Sequence, residues 1–179
     1  MALTAEQDLR KSALFEVAKQ MATAARTAPK GHGTDNLAIA IADGEKIKQL
    51  SDKLKQMTKE EGAAAFFARD GENILKAEAL LLIGTKIEPL GISNCGLCGF
   101  ENCDAKRKHP DVPCAFNTND LGIATGSAAA VAMDARVDNR IMFTVGKAAR
   151  ALNLLGDEIK IIMGIPLSCL GKNPFFDRK

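Results

Sequence analysis

Glu78-Ala79-Leu80-Leu81-Leu82-Ile83-Gly84 is the stretch whose reading decides the fold. Taken as a strand, it is a short apolar run of ordinary strand length and the centre of a sheet. Its leucine-rich composition also admits a helix, because periodicity does not separate a buried strand from a buried helix over so few residues. The choice rests on the rest of the chain, which alternates helical patterns with further short apolar runs. Three or four apolar strands among helices indicate an α/β or α+β domain.

N-terminal to that run, Thr4-Ala5-Glu6-Gln7 fits a capping box, in which the Thr hydroxyl and Gln7 satisfy orphan amides reciprocally. Leu9, Leu14, Val17 and Met21 follow at helical spacing, so a helix is predicted over about 5–28 and is stopped by Pro29 and Gly31/Gly33. Leu37 to Ala42 reads as a short buried strand with Asp43-Gly44 as its turn. Ile47, Leu50, Leu54 and Met57 mark an amphipathic helix, and Lys46, Lys48, Lys53, Lys55 and Lys59 form its solvated face. Residues 60–77 read as shorter helical pieces broken at Asp70-Gly71. On the C-terminal side, Asn119-Asp120 is a plausible cap for an alanine-rich helix over about 120–135. Ile141, Val145, Ala148, Ala149 and Leu152 indicate another helix ending near Asn153. Ile159 to Gly164 is a last strand, followed by an irregular stretch from Ile165-Pro166 to Lys179.

With 179 residues, 46% of them apolar, the chain has enough material for one domain with its own core. Its formal net charge of +2 is too small to imply a nucleic-acid partner, because phosphate binding needs a concentrated positive footprint. Met1-Ala2-Leu3-Thr4 reads as an ordinary start without a leader. The longest strongly apolar run, Ala77 to Gly84, is far below a membrane span. Five cysteines without a leader point to a reducing cytoplasm, where clustered cysteines bind metal or act chemically more often than they bridge.

Thr85 to Asn117 shows little periodicity, and a loop of that length inside a compact domain implies a task. Cys95, Cys98, Cys103 and Cys114 supply one, at the spacing C-x2-C-x4-C-x10-C. Thiolates are soft ligands that select zinc and iron–sulfur clusters, and a C-x2-C pair lets neighbouring side chains converge. Gly96 and Gly99 keep the backbone compact and leave amides free to approach sulfur. Disulfides and unligated thiols are the competing readings. The pattern lacks the second short knuckle of structural zinc sites and also differs from the C-x2-C-x2-C-x3-C-P run of bacterial ferredoxins.

Lys106-Arg107-Lys108-His109 lies between the third and fourth cysteines, either offsetting the charge of a thiolate centre or forming a solvated turn. Cys169 reads as a small buried apolar residue, with a further ligand at the site as its alternative, and His32 as solvent-facing, with contact to an anionic cofactor as its alternative. Gly31-His32-Gly33-Thr34-Asp35-Asn36 lacks the context of a nucleotide fold or P-loop but offers free amides directly after a helix. No Ser-His-Asp or Cys-His nucleophile arrangement is visible, so no catalytic residue is assigned.

The cysteine spacing resembles the C-x2-C-x4-C…C arrangement of small four-iron domains, which implies that Cys95, Cys98, Cys103 and Cys114 ligate a 4Fe-4S cluster, with zinc as the alternative metal. Outside the loop the chain resembles the FMN-dependent nitroreductase family. The resemblance lies in Ala24-Ala25-Arg26-Thr27-Ala28-Pro29 with Gly33 and Asn36, in the alanine-rich helix, and in the Met163-Gly164-Ile165-Pro166 ending. It implies an α+β fold, a three-layer α/β/α sandwich of one domain over 1–179 with a Cys-rich loop inserted at 85–118. It further implies a homodimer with FMN in clefts at the interface, contacted by Arg10, Lys30, Asn36 and Lys172. An arginine-rich opening, a serine at position 30 and an aromatic residue after Asn36 would complete that family's pattern and are absent. The scaffold with its four-cysteine loop is identified as a member of a family of uncharacterised prokaryotic proteins containing a ferredoxin domain. The resulting expectation is a cytoplasmic iron–sulfur redox protein, exchanging electrons with FMN and a redox partner protein and binding neither nucleic acid nor membrane. The alternative is a non-enzymatic binding or structural protein stabilised by zinc or a cluster.

Overall fold

The leucine-rich run folds as a strand, Ala79–Thr85, buried along its whole length. The computed structural model describes residues 3–176; Met1 and Ala2 of the opening stretch and Asp177, Arg178 and Lys179 of the tail lie outside the described residues. In chain order the elements are α1 (Glu6–Thr27), β1 (Leu37–Ala42), α2 (Gly44–Glu60), α3 (Phe66–Ile74), β2 (Ala79–Thr85), α4 (Cys103–Arg107), α5 (Ala115–Asp134), β3 (Asp138–Asn139), α6 (Phe143–Ala151) and β4 (Ile161–Ser168). Short 3-10 turns occupy Gly31–Gly33 and Pro174–Phe176. The strands pair antiparallel in the order β1-β2-β4-β3, with Leu82 opposite Ala40 on one side and Gly164 on the other.

Successive side chains of a strand point to opposite faces, and β2 has an apolar layer on each. Ala79, Leu81 and Ile83 join Leu14, Ala18 and Met21 of α1 and Leu121, Ala124 and Ala128 of α5 in one core. Leu80 and Leu82 join Leu50 and Leu54 of α2, Ile74 of α3 and Val145 and Ala148 of α6 in a second. The molecule is therefore a three-layer α/β/α sandwich. A strand covered on both faces has no polar side, which is why β2 shows no alternation in sequence. Each of its fully buried leucines contributes about 1.5–3 kcal/mol by leaving water.

The layers approach closely where side chains are missing. A Cβ on Gly146 would lie 1.6 Å from the carbonyl oxygen of Ile162, and one on Gly164 would lie 2.4 Å from Val145 Cγ1. Helix α6 thus rests directly on the backbone of β4.

Several local expectations are corrected by tertiary context. The Thr4 capping box does not form: the cap is Ala5, without a side-chain bond, which puts the Thr hydroxyl one residue too early. Glu6 and Asp8 complement the helix dipole instead, and Glu6 pairs with Arg10 at 2.6 Å. Asp43-Gly44 is the entry to α2, with the amides of Lys46 and Ile47 donating to the Asp43 carbonyl. Helix α3 runs unbroken through Asp70-Gly71, because the glycine lets it approach α2. A Cβ there would stand 3.1 Å from the Ser51 carbonyl oxygen. Helix α5 begins at Ala115 with Cys114 as its cap, so Asn119-Asp120 lies inside the helix. The last strand starts at Ile161 and continues through Pro166 to Ser168. Pro166 faces Leu80 of β2, while on the opposite edge pairs form at Leu167 and Gly164 and none at Pro166, so its missing N–H breaks no bond there. In α2, Lys46, Lys48 and Lys59 are exposed as expected, while Lys53 and Lys55 pair with Glu61 and Glu72.

Candidate metal centre

Between β2 and α5 the chain leaves the sandwich, and the short helix α4 is its one regular element there. Its turns pass through the left-handed region at Asn94 (φ 56°), Gly96 (φ 59°) and Gly99 (φ 82°). That conformation costs a residue with a Cβ roughly 1–2 kcal/mol, so the glycines let the segment from Cys95 to Cys103 fold back on itself. The Gly99 amide donates to the Gly96 carbonyl at 2.9 Å, closing this turn rather than standing free for a sulfur. Asn102 then caps α4, its Oδ1 accepting from the Ala105 amide at 2.9 Å. Cys103 is the first residue of α4 and Cys114 the cap of α5, so both helix starts deliver a thiol.

All four of these cysteines are free thiols, and together they line one pocket whose apolar walls include Pro89, Leu90, Ile92, Phe100 and Phe116. Cys169 is exposed beyond the end of β4, not buried as expected, because the chain has left the sheet there, and it takes no part in that lining. Among the described residues no three His, Cys, Asp or Glu side chains converge closely enough to clasp a single ion. Zinc requires its sulfurs about 2.3 Å from one point, so the loop would have to close further around zinc. A four-iron cluster takes one thiolate per iron, which four cysteines lining a shared pocket can supply, but the pocket has a volume of only about 10 Å³, so the loop would have to open around a cluster.

The basic run is divided by the structure. Lys106, one turn after Cys103, lines the same pocket at 1% exposure, and its Nζ has no hydrogen-bond partner among the described residues. Arg107 pairs with Asp104 at 2.5 Å, Lys108 is exposed, and His109 stacks on Phe100 with ring centroids 5.0 Å apart. The inward turn of Lys106 was not separable from its neighbours in sequence. The i to i+3 relation to Cys103 is the signal that could have found it.

Two hydrogen bonds fix the surroundings of the pocket on α5, one from the cysteine segment and one from the loop after α1. The Glu88 amide donates to Asn117 Oδ1 at 2.8 Å, and the Gly31 amide donates to Asp120 Oδ1 at 3.0 Å. A Cβ on Gly31 would lie 2.7 Å from Phe116 and 2.8 Å from Leu90, so the loop after α1 lies directly against the pocket wall.

The four residues implied as FMN contacts are dispersed. Arg10 lies near the start of α1 beside Glu6. Lys30 lies just beyond the other end, where Nζ donates to the carbonyls of Ala25, Arg26 and Ala28. At 1.5 Å per residue the helix separates these ends by about 25 Å. Asn36 carries a buried Nδ2 without a partner, Lys172 is exposed beyond β4, and His32 is exposed. Asp35 shapes the loop electrostatically. Partial burial raises its carboxyl pKa, but the Arg26 hydrogen bond, the Leu37 amide and the charges of Arg26 and Lys30 outweigh that and hold it below the ordinary value.

No helix among the described residues is long and apolar enough to cross a membrane. A family described as uncharacterised proteins containing a ferredoxin domain matches residues 110–178. An uncharacterised protein of Archaeoglobus fulgidus is 41% identical over 180 residues, covering 97% of this chain and 96% of its own length. A nitroreductase with bound FMN from Desulfitobacterium hafniense superposes with a TM-score of 0.59 at 13% identity, over 96% of this chain and 81% of its own. The nitroreductase CinD of Lactococcus lactis, in complex with nicotinic acid, gives 0.57 at 13% identity, over 95% and 81%. At such identities the likeness is one of fold, and the sandwich is nitroreductase-like.

Proposed function

The chain belongs to the family of uncharacterised proteins containing a ferredoxin domain, and we propose that it is an iron–sulfur redox protein whose Cys95, Cys98, Cys103 and Cys114 hold one 4Fe-4S cluster. The observation that carries this reading is a pocket lined by four free thiols and by Lys106, whose ammonium has no hydrogen-bond partner among the described residues. The donor set is wholly soft, which suits thiophilic metal, and deprotonated thiols supply the negative charge that a buried cation requires. Once bound, such a cluster accepts and releases single electrons. The chain's own part is to hold the thiols, to exclude water with Leu90, Phe100 and Phe116, and to tie the cysteine segment to α5 through Asn117.

The same proposal includes FMN bound between two copies of the chain, contacted by Arg10, Lys30, Asn36 and Lys172. The separation of Arg10 from Lys30 favours contributions from two protomers to one cleft. Asn36 offers a buried amide donor in need of an acceptor. A flavin on this loop would be one layer of side chains, Leu90 and Phe116, from the cysteine pocket, a short path for electron exchange.

Anaerobic purification followed by metal and sulfide analysis tests the central reading. The expected result is iron and acid-labile sulfide in equal amounts, about four of each per chain. Stoichiometric zinc without sulfide, in protein made with adequate iron, would overturn it in favour of a non-enzymatic, metal-stabilised binding protein.

A further inference from the structure

The chemistry of the pocket is set by more than its thiols. Lys106 follows Cys103 by one turn of α4, so both side chains leave the helix on one face. Its backbone is held at both ends: its amide donates to the Asn102 carbonyl at 3.1 Å, and its carbonyl accepts from the His109 amide at 2.8 Å. The Asn102 side chain fixes the start of the same turn. The lysine is therefore aimed inward by its element and does not lean there by chance of rotamer.

Burying an ammonium away from water costs several kcal/mol unless a negative charge compensates. No carboxylate among the described residues makes that compensation, since Asp104 is engaged by Arg107 and no described acceptor reaches Lys106 Nζ. A methionine or leucine would fill the same space with no charge to desolvate. The groups left to balance the lysine are the four cysteines that share its pocket.

We infer that Lys106 is the charge-setting residue of the cysteine pocket, holding a thiolate-ligated centre there and favouring its more negative, reduced state. The inference rests on the cluster reading above. Uptake of one electron makes the centre more negative and breaks no bond, and a fixed positive charge in a water-poor pocket stabilises that product over the oxidised form. Arg107, Lys108 and His109 do not replace it, because none of the three lines the pocket.

The test uses wild-type chain, Lys106→Met and Lys106→Arg, each reconstituted anaerobically with iron and sulfide. Iron, sulfide and the visible spectrum are measured first, then the reduction potential by dithionite titration with mediator dyes. In Lys106→Met the reduced state should be disfavoured at least tenfold, a fall of about 59 mV for a one-electron couple, while Lys106→Arg stays near wild type. Loss of iron and sulfide from Lys106→Met alone, with Lys106→Arg loaded, also supports the inference, because the charge is then needed to retain the centre. A wild-type potential in Lys106→Met overturns it. So does equal damage in both variants, which marks a packing role. Failure of the wild-type chain itself to take up iron and sulfide defeats the cluster reading, and this separates the two failures.

Discussion

Asp70 is 3% exposed, and its environment explains how a carboxylate came to lie between two helices. It accepts a hydrogen bond from Thr144 Oγ1 of α6 at 2.8 Å, and Arg69 and Arg140 approach its other oxygen at 3.3 and 3.6 Å. Thr144, 1% exposed, ties α6 to α3 through this contact. Thr144→Val keeps the shape but leaves one oxygen of Asp70 without its donor. The expected loss is about 1–3 kcal/mol of unfolding free energy, measured by urea denaturation. A change below about 0.5 kcal/mol would mean that the two arginines satisfy the carboxylate unaided. The same scale explains Gly146, where any side chain would collide with the backbone of β4.

At the scale of elements, the segment between β2 and α5 is distinct from the sandwich it interrupts. Neither apolar core contains a residue from 86–113, so the segment draws little of its order from hydrophobic burial. We propose that a metal centre supplies the rest, since ligand binding and local folding are coupled. Replacing Cys95, Cys98, Cys103 or Cys114 by serine should abolish full metal occupancy. It should also raise amide hydrogen exchange across 85–117 while leaving β2, α1 and α5 protected. Loss of protection throughout the molecule would show instead that the centre nucleates the whole fold. Cys169→Ser should retain the metal, because that thiol lies outside the pocket.

At the scale of the whole molecule, the nitroreductase-like sandwich brings the loop after α1 against the cysteine pocket through Gly31. Two redox groups at these positions would be neighbours. Met133, Ile141 and Phe176 are 63%, 45% and 55% exposed and line one open groove beside β3 together with Arg136, Asp138 and Arg140, a mixed apolar and charged surface offered to the proposed homodimer. Titration of metal-loaded protein with FMN should quench flavin fluorescence saturably, at about one FMN per chain, with light scattering reporting a dimer. Asn36→Ala should weaken binding and is a cleaner test than Lys30→Glu, because Lys30 also holds the last carbonyls of α1. A folded dimer that binds no FMN would leave the cysteine pocket as the one redox site of an inherited scaffold.

Residue type and short spacing carry part of this structure unaided. The apolar run of β2, the buried stripe Ile47, Leu50, Leu54 and Met57, the four clustered cysteines and the resemblance of the scaffold were all legible, because each is written in neighbouring residues. Features that depend on a distant partner emerge with the packed fold. Asp70-Gly71 looks like a helix break until α2 and α6 supply a close backbone and a hydroxyl. Asn119-Asp120 looks like a cap until Gly31, 89 positions away in the chain, claims the Asp120 carboxylate. Pro166 looks like the end of a strand until the pairing of β4 leaves its missing N–H without consequence. Lys106 and Lys108 are the same residue two positions apart, and the turn of α4 buries one beside the thiols and leaves the other in water. Local propensity is a free-energy preference of about a kilocalorie per mole or less per residue, and a buried contact across the fold outweighs it.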